Sequence, residues 1–106
     1  MPIPPKRVQQ AAKRAIKERK KWSGVKNMPT TSVGLKMGRK LARGKDLTFE
    51  EVKKMSEYFP RHQYDNLSYE RDSKGRLGKG MISWLMWGGD VGWDWSESQM
   101  ERYLVL

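Results

Sequence analysis

Cysteine is absent from this sequence of 106 residues, and histidine occurs once. Without cysteine there are no disulfide bridges, thiolate metal sites or cysteine nucleophiles, so nothing indicates secretion or redox chemistry. No apolar run approaches the roughly 18 residues of a membrane span, and the basic N-terminus has no apolar stretch typical of a signal peptide. We therefore expect a protein without a membrane span, of one small domain at most with an arm attached.

Catalytic motifs are missing as well. The sequence has no P-loop, no Gly-x-Ser-x-Gly elbow, no His-Glu-x-x-His pair and no Rossmann fingerprint. One histidine without cysteine does not make a typical zinc site. We expect no enzymatic activity, no cofactor and no metal.

His62 is the one candidate general base, with Arg61 beside it and Asp65 three residues later. A histidine at a helix C-terminus more often hydrogen-bonds a last-turn carbonyl or a nearby carboxylate. That structural role is the favoured interpretation, and catalysis or metal binding is the alternative.

Three other segments have a phosphate-binding or base-binding alternative. Residues 75–80 are glycine-rich and basic, which favours a flexible loop and leaves phosphate contact as the alternative. Residues 88–92 are typical of a corner between helices, where Asp90 as N-cap would repel an anion. Trp93 and Trp95 could stack on bases, but they lie among acidic residues, so packing is favoured.

Acidic residues are scarce in the first half of the chain. Residues 1–45 contain 14 Lys and Arg and a single acid, Glu18, whereas residues 46–106 contain 8 basic and 11 acidic residues. The net charge of +10 thus belongs to the N-terminal part. Such an asymmetry is typical of a segment that binds a polyanion, joined to a compact body.

Periodicity predicts a first helix from Lys6 to Trp22 with one packing face and one basic face. The apolar arc contains Val8, Ala11, Ala12, Ala15, Ile16, Arg19 and Trp22, and the cationic arc contains Lys6, Arg7, Lys13, Arg14, Lys17, Lys20 and Lys21. A second helix is predicted from Thr31 or Ser32 to Gly44. Its Gly34 and Gly38 indicate either a lowered helix propensity or the close approach of another backbone.

Sequence patterns typical of helices also occur in residues 46–106. Thr48 and Glu51 form a capping box that starts a third helix, which Pro60 limits. A loop over residues 66–80 and a short buried helix over residues 81–87 follow. We expect Asp90 to cap a final helix that runs to about Tyr103.

The predicted fold is all-α, with four to five short helices. Residues 1–45 would form a basic N-terminal arm of two helices, the first only loosely tied to the rest, and residues 46–106 a small helical domain. The predicted structural core of that domain comprises Phe59, Trp84, Trp87 and Trp95.

The predicted polyanion-binding residues lie on the two arm helices. They are Lys6, Arg7, Lys13, Arg14, Lys17, Lys20, Lys21, Arg39, Lys40 and Arg43. No groove-recognition motif accompanies them, so we expect contacts to the backbone of nucleic acid, independent of its sequence, or to another acidic surface.

Several motifs resemble a small module of tailed phages that occurs alone or attached to head-region proteins. The resemblance covers nearly the whole chain. Its most specific part is Trp84-x-x-Trp87-Gly88-Gly89-Asp90-x-Gly92-x-x-Trp95, and Arg61-His62-x-x-Asp65 also matches. The chain departs from the pattern at Met37, Pro60 and Gln63. The resemblance implies a phage source, a location in the virion or the host cytoplasm, and no known catalytic activity.

Two functional hypotheses follow. In the first, a non-enzymatic accessory protein binds nucleic acid or an acidic capsid surface with its basic arm and docks on a protein partner, a phage head protein, with its C-terminal domain. In the second, the protein is a purely structural virion component whose arm threads along neighbouring capsid subunits without touching nucleic acid. The sequence leaves the oligomeric state open.

Overall fold

The chain folds into an all-α structure, as predicted. The computed structural model describes residues 2–105, and for residue 105 the backbone alone. The helices in this range are α1 (Lys6–Lys20), α2 (Ser32–Ala42), α3 (Phe49–His62), α4 (Lys79–Met86) and α5 (Gly89–Val105). Strand-like pairing in the described residues is limited to one isolated bridge between Arg71 and Leu77.

Side-chain caps fix the starts of two helices. The Thr31 hydroxyl accepts a hydrogen bond from the Gly34 amide at 3.1 Å and so begins α2. In α3 the Thr48 hydroxyl accepts from the Glu51 amide at 3.1 Å, and the Glu51 carboxylate accepts from the Thr48 amide at 2.8 Å. The predicted capping box is confirmed, and Thr31 is the cap of α2 where the sequence left Thr31 or Ser32 open; both caps depend only on residues within one turn.

The predicted cap of the last helix is wrong. Helix α5 begins at Gly89, two residues earlier than a cap at Asp90 would place it, and Asp90 lies inside its first turn. The Asp90 carboxylate instead accepts a hydrogen bond from the Trp84 indole at 2.7 Å. Gly88 and Gly89 both adopt positive φ, at 112° and 67°, and this turns the chain sharply between α4 and α5.

Helix α1 is an integral part of the core, so the expectation of a loosely tied helix is wrong. Val8, Ala12 and Ala15 are all at most 1% exposed. They lie in one hydrophobic cluster with residues of all four other helices, and α1 packs against α2, α4 and α5. The small alanine side chains let these helices come close. The change in net charge after residue 45 is therefore not accompanied by a break in the packing.

The predicted close approach of another backbone is confirmed at Gly38 of α2, where α4 lies against it, whereas the close neighbours of Gly34 are side chains. A Cβ atom on Gly38 would overlap the Met86 side chain and lie 3.1 Å from the Met86 carbonyl oxygen. A Cβ atom on Gly34 would lie 2.7 Å from Thr30 Cγ2 and 3.1 Å from Trp87 Nε1. These glycines are required by the close contact.

Replacing Gly38 by Ala should therefore destabilise the protein, although alanine favours a helix. The overlap falls on Met86, which is fully buried and has little room to move. Overpacking costs about 1–3 kcal/mol, and the gain in helix propensity offsets ~1 kcal/mol of it. Urea unfolding followed by circular dichroism should show a net loss of about 1 kcal/mol. The control Lys36→Ala, at an exposed position of the same helix, should be near neutral.

The aromatic core joins α3, α4 and α5. Phe59, Trp84 and Trp87 are 0%, 3% and 7% exposed, and Trp95 is half-buried against the same cluster. The Phe59 and Trp84 rings meet edge to face with centroids 4.8 Å apart, a favourable aromatic arrangement.

Candidate polyanion-binding surface

The cationic arc of α1 faces solvent along the whole helix. Its members Lys6, Arg7, Lys13, Arg14, Lys17, Lys20 and Lys21 are all exposed, and the opposite arc is buried or partly buried against the body. At 1.5 Å per residue, the stretch from Lys6 to Lys20 spans about 21 Å. We call these seven residues the α1 cationic face.

Glu18, the one acid in the first 45 residues, is withdrawn from this surface. Its side chain is 5% exposed, and its two carboxylate oxygens accept hydrogen bonds from Arg71 Nη1 and Nη2 at 2.7 and 3.1 Å. Lys21 Nζ lies 3.4 Å away. The Arg71 guanidinium lowers the pKa of Glu18 to about 2, against the opposing effect of burial and with help from Lys21. The negative charge of α1 is therefore neutralised inside the protein.

Some predicted binding residues also have structural partners. Lys40 is half-buried, and its Nζ donates to both carboxylate oxygens of Glu51 at 2.7 and 2.8 Å, so it holds α2 against the start of α3. The Arg14 guanidinium lies over the Tyr69 ring, 4.9 Å from its centroid. Lys40 is thus the predicted residue least available to an external anion.

The outer side of α2 adds a second basic surface. A shallow concavity of about 580 Å³ is lined by Ser32, Leu35, Lys36, Arg39, Lys40, Arg43 and Lys45. Arg39 and Arg43 are exposed there. Lys36 and Lys45 were not among the predicted binding residues, although their position in the same basic run could have indicated them.

A separate cleft lies where the connector before α2 meets α3 and α4. It has a volume of about 520 Å³, and its lining includes Thr30, Lys54, Tyr58, Arg61 and Ser83. Because these residues come from distant parts of the sequence, no local pattern predicts the cleft.

His62 also lines this cleft, and it has the predicted structural partner. Its Nδ1 lies 2.9 Å from Asp65 Oδ2, at the end of α3. Its ring stacks on Tyr58 with centroids 4.3 Å apart and an interplanar angle of 20°. The packing of Tyr58 and the bond to Asp65 together fix the orientation of the imidazole.

The alternatives for two of the three other segments find little support in the geometry. In the loop before α4, the Asp72 carboxylate accepts hydrogen bonds from the amides of Lys74 and Arg76 at 3.0 and 2.8 Å, so two of the backbone donors of this loop already have an anionic partner. Trp93 stacks on Phe59 with ring centroids 5.7 Å apart, and its indole donates to Glu97 at 2.7 Å. One face of this indole is therefore covered by the core.

Residues 2–105 contain no group of three or more His, Cys, Asp or Glu side chains placed to hold a metal ion. Within the same range, no helix has both the length and the apolar character to cross a bilayer.

Comparison with protein-family models, with curated proteins and with solved structures found no match to this chain.

Proposed function

We propose that this protein binds the sugar-phosphate backbone of nucleic acid through the α1 cationic face, without reading the base sequence. One observation carries the proposal: seven exposed cations share one face of α1, and the one acid of that helix, Glu18, is buried against Arg71. A face that merely needed to be solvated would normally carry charges of both signs. Arg39 and Arg43 on α2 extend the basic surface.

Electrostatics explain why such a face favours a polyanion. Like charges three or four residues apart on a helix destabilise it by about 0.2–0.5 kcal/mol per pair. Lys13, Lys17 and Lys20 form two such pairs, and phosphates placed along the face would relieve this repulsion. Binding would also release condensed counterions, which makes affinity strongly dependent on salt.

In this proposal the protein is a phage-type accessory protein of the virion or the host cytoplasm. The sequence motifs that resemble tailed-phage modules support this setting. In the same proposal the acidic C-terminal half docks on a protein partner, a phage head protein. Tyr64 and Leu104 are 91% and 81% exposed and are apolar groups available for such a contact.

The rival hypothesis is a structural virion component whose arm threads along capsid subunits. Threading needs an N-terminal segment that extends away from its own body. The burial of Val8, Ala12 and Ala15 instead favours a fixed cationic surface. Binding of nucleic acid separates the two hypotheses.

Duplex DNA binding measured at several salt concentrations tests the proposal. If about six phosphates are neutralised, the logarithm of the affinity should fall with the logarithm of the salt concentration at a slope near -5. The triple variant Lys13→Gln, Lys17→Gln and Lys20→Gln should bind more weakly and flatten the slope by about 3. Fluorescence anisotropy of a labelled duplex gives both quantities.

A matched control removes the same charge elsewhere. Lys26, Lys53 and Lys74 are exposed and lie outside the α1 cationic face. Their combined change to Gln should leave most of the slope intact. Absent or salt-independent binding, or an equal loss in the two triple variants, contradicts the proposal and leaves the rival hypothesis.

A further inference from the structure

The cleft between the connector, α3 and α4 has the size and lining of a small-ligand site. Its volume of about 520 Å³ falls within the range of roughly 300–1,000 Å³ that such sites usually have. Its polar groups come from three different segments: hydroxyls of Thr30, Thr31 and Ser83, and cations of Lys54 and Arg61. Such convergence of polar groups in a mainly apolar cleft is typical of a binding site.

A stack of three rings forms part of the cleft wall. Tyr58 lies between His62 and Trp87, with centroid distances of 4.3 and 4.8 Å and interplanar angles of 20° and 12°. Tyr58 and Trp87 are 5% and 7% exposed, whereas the His62 side chain is 40% exposed. Because Asp65 fixes the imidazole, the stack offers an ordered aromatic surface for a further flat ring.

The connector before α2 forms another part of the cleft wall, and it contains one residue in a strained conformation, Thr30. Asn27 and Thr30 adopt positive φ, at 60° and 75°, which is a rare state for a β-branched residue such as Thr30. Three contacts hold this wall in place: Arg19 Nε donates to the Pro29 carbonyl at 3.0 Å, Lys79 Nζ donates to the Asn27 carbonyl at 2.7 Å, and the hydroxyls of Thr30 and Ser83 lie 3.3 Å apart. The cleft is thus pre-organised, and strained residues tend to lie at functional sites.

The charges along the cleft favour an anion of low charge. Lys54, Tyr58 and Arg61 are spaced i, i+4 and i+7 on α3, so the two cations flank the ring stack on one helix face. Lys79 also lines the cleft, but its ammonium donates to the Asn27 carbonyl and lies over the Trp22 ring. Glu57 and Asp65 also line the cleft, and Asp65 is engaged by His62. One carboxylate is therefore left to accept hydrogen bonds from a ligand.

We propose that this cleft binds a nucleotide unit, with its base on the His62–Tyr58–Trp87 ring stack and its phosphate between Lys54 and Arg61. A nucleotide combines the flat ring, the hydroxyls and the single phosphate that the cleft wall complements. The unit can be a free mononucleotide or an unpaired residue of a nucleic acid strand. The site uses none of the residues of the α1 cationic face, so it does not depend on the function proposed above.

Titration of the labelled protein with AMP, followed by ¹H–¹⁵N NMR, tests the site. Saturable shifts are expected at the amides of Thr30, His62 and Ser83. Ribose 5-phosphate, which lacks the base, should bind at least about fivefold more weakly, because stacking contributes substantially to the binding of each base. His62→Ala should weaken AMP binding by a similar factor while the protein stays folded, since the side chain is partly exposed.

Paired charge variants localise the phosphate. Arg61→Gln and Lys54→Gln should each weaken AMP binding severalfold, whereas Lys53→Gln, at the exposed neighbouring position outside the cleft lining, should not. The Lys13, Lys17 and Lys20 triple variant should bind AMP normally. A short single-stranded oligodeoxyadenylate then identifies the source: tighter binding that still depends on Arg61 indicates a strand, and binding no tighter than that of AMP indicates a free nucleotide.

Three results would overturn the proposal. The first is the absence of saturable shifts in the cleft with both AMP and the oligonucleotide. The second is equal affinity for ribose 5-phosphate and AMP, which would exclude ring recognition. The third is an equal effect of Lys53→Gln and Arg61→Gln, which would mean that the response reports net charge alone.

Discussion

Replacing Trp84 by Ala should lower the free energy of unfolding by about 3–5 kcal/mol, the usual cost of deleting a large buried ring. Trp84 is 3% exposed and packs edge to face against Phe59 and Trp93, with centroid distances of 4.8 and 5.8 Å. Its indole N–H also donates to Asp90 at 2.7 Å. The substitution therefore removes ring contacts on two sides, leaves a cavity and breaks the bond between α4 and α5.

The expected loss is a large part of the total stability. The free energy of unfolding of small domains is about 5–15 kcal/mol. For a protein of this size, a loss of 1 kcal/mol lowers the melting temperature by about 4–8 °C. Trp84→Ala should thus melt more than about 12 °C below the parent protein. Guanidinium unfolding followed by circular dichroism gives the free energy directly.

Two companion variants separate packing from hydrogen bonding. Trp84→Phe keeps a ring in the core and loses the bond to Asp90, so it should lose less than Trp84→Ala. Asp90→Asn keeps an acceptor for the indole and should cost ~1 kcal/mol or less, because Asp90 is exposed and water replaces a weakened bond. A near-neutral Trp84→Ala would contradict the core role and indicate that this ring is a surface platform.

Sequence patterns predicted the local parts of this fold well. The Thr31 cap and the Thr48–Glu51 capping box lie within one helical turn, so short-range chemistry sets the starts of α2 and α3. The buried and exposed arcs of α1 follow from a period of 3.6 residues in the same way. Such features need no knowledge of the remaining chain.

Long-range contacts account for what the sequence did not predict. Ala12 and Ala15 are small and fully buried, and α1 packs on α4, which follows it by about 60 residues, as well as on α2 and α5. For this reason the difference in charge between the two halves predicted a loosely tied arm, whereas the packing joins α1 to the other helices in one core. Asp is a residue type that often caps helices, but the Asp90 carboxylate accepts a hydrogen bond from the Trp84 indole instead. The ring stack of the cleft likewise joins two residues of α3 to Trp87, which directly follows α4.

The Glu18–Arg71 pair is the long-range contact for which the sequence did carry a signal. Glu18 is the single acid among 14 basic residues in the first 45, and a lone acid on a basic helix needs a partner if it becomes buried. Its partner is 53 residues away, in the loop before α4, and spacing cannot identify it. This pair fixes that loop to α1 and makes the neighbouring α1 cationic face uniformly positive.

Glu18→Gln should lower the free energy of unfolding at neutral pH by on the order of 2 kcal/mol. This is less than the pKa shift alone would give, because water around the exposed Arg71 screens the ion pair. The neutral amide keeps the size of the side chain but loses the charge that the Arg71 guanidinium stabilises. In the parent protein the pKa of Glu18 falls from 4.5 to about 2 on folding. The carboxylate thus contributes stability above pH 4.5, and this contribution is lost as the pH falls through about 2.

Urea unfolding measured from neutral pH to about pH 2 tests this linkage. The difference in stability between the parent protein and Glu18→Gln should be largest at neutral pH and should shrink between pH 4.5 and about 2, because both proteins then carry a neutral group at this position. Glu50→Gln, at an exposed acid in the first turn of α3, is the matched control and should change stability little at any pH. A difference that does not vary with pH would show that Glu18 acts through packing alone and that its ion pair with Arg71 does not stabilise the fold.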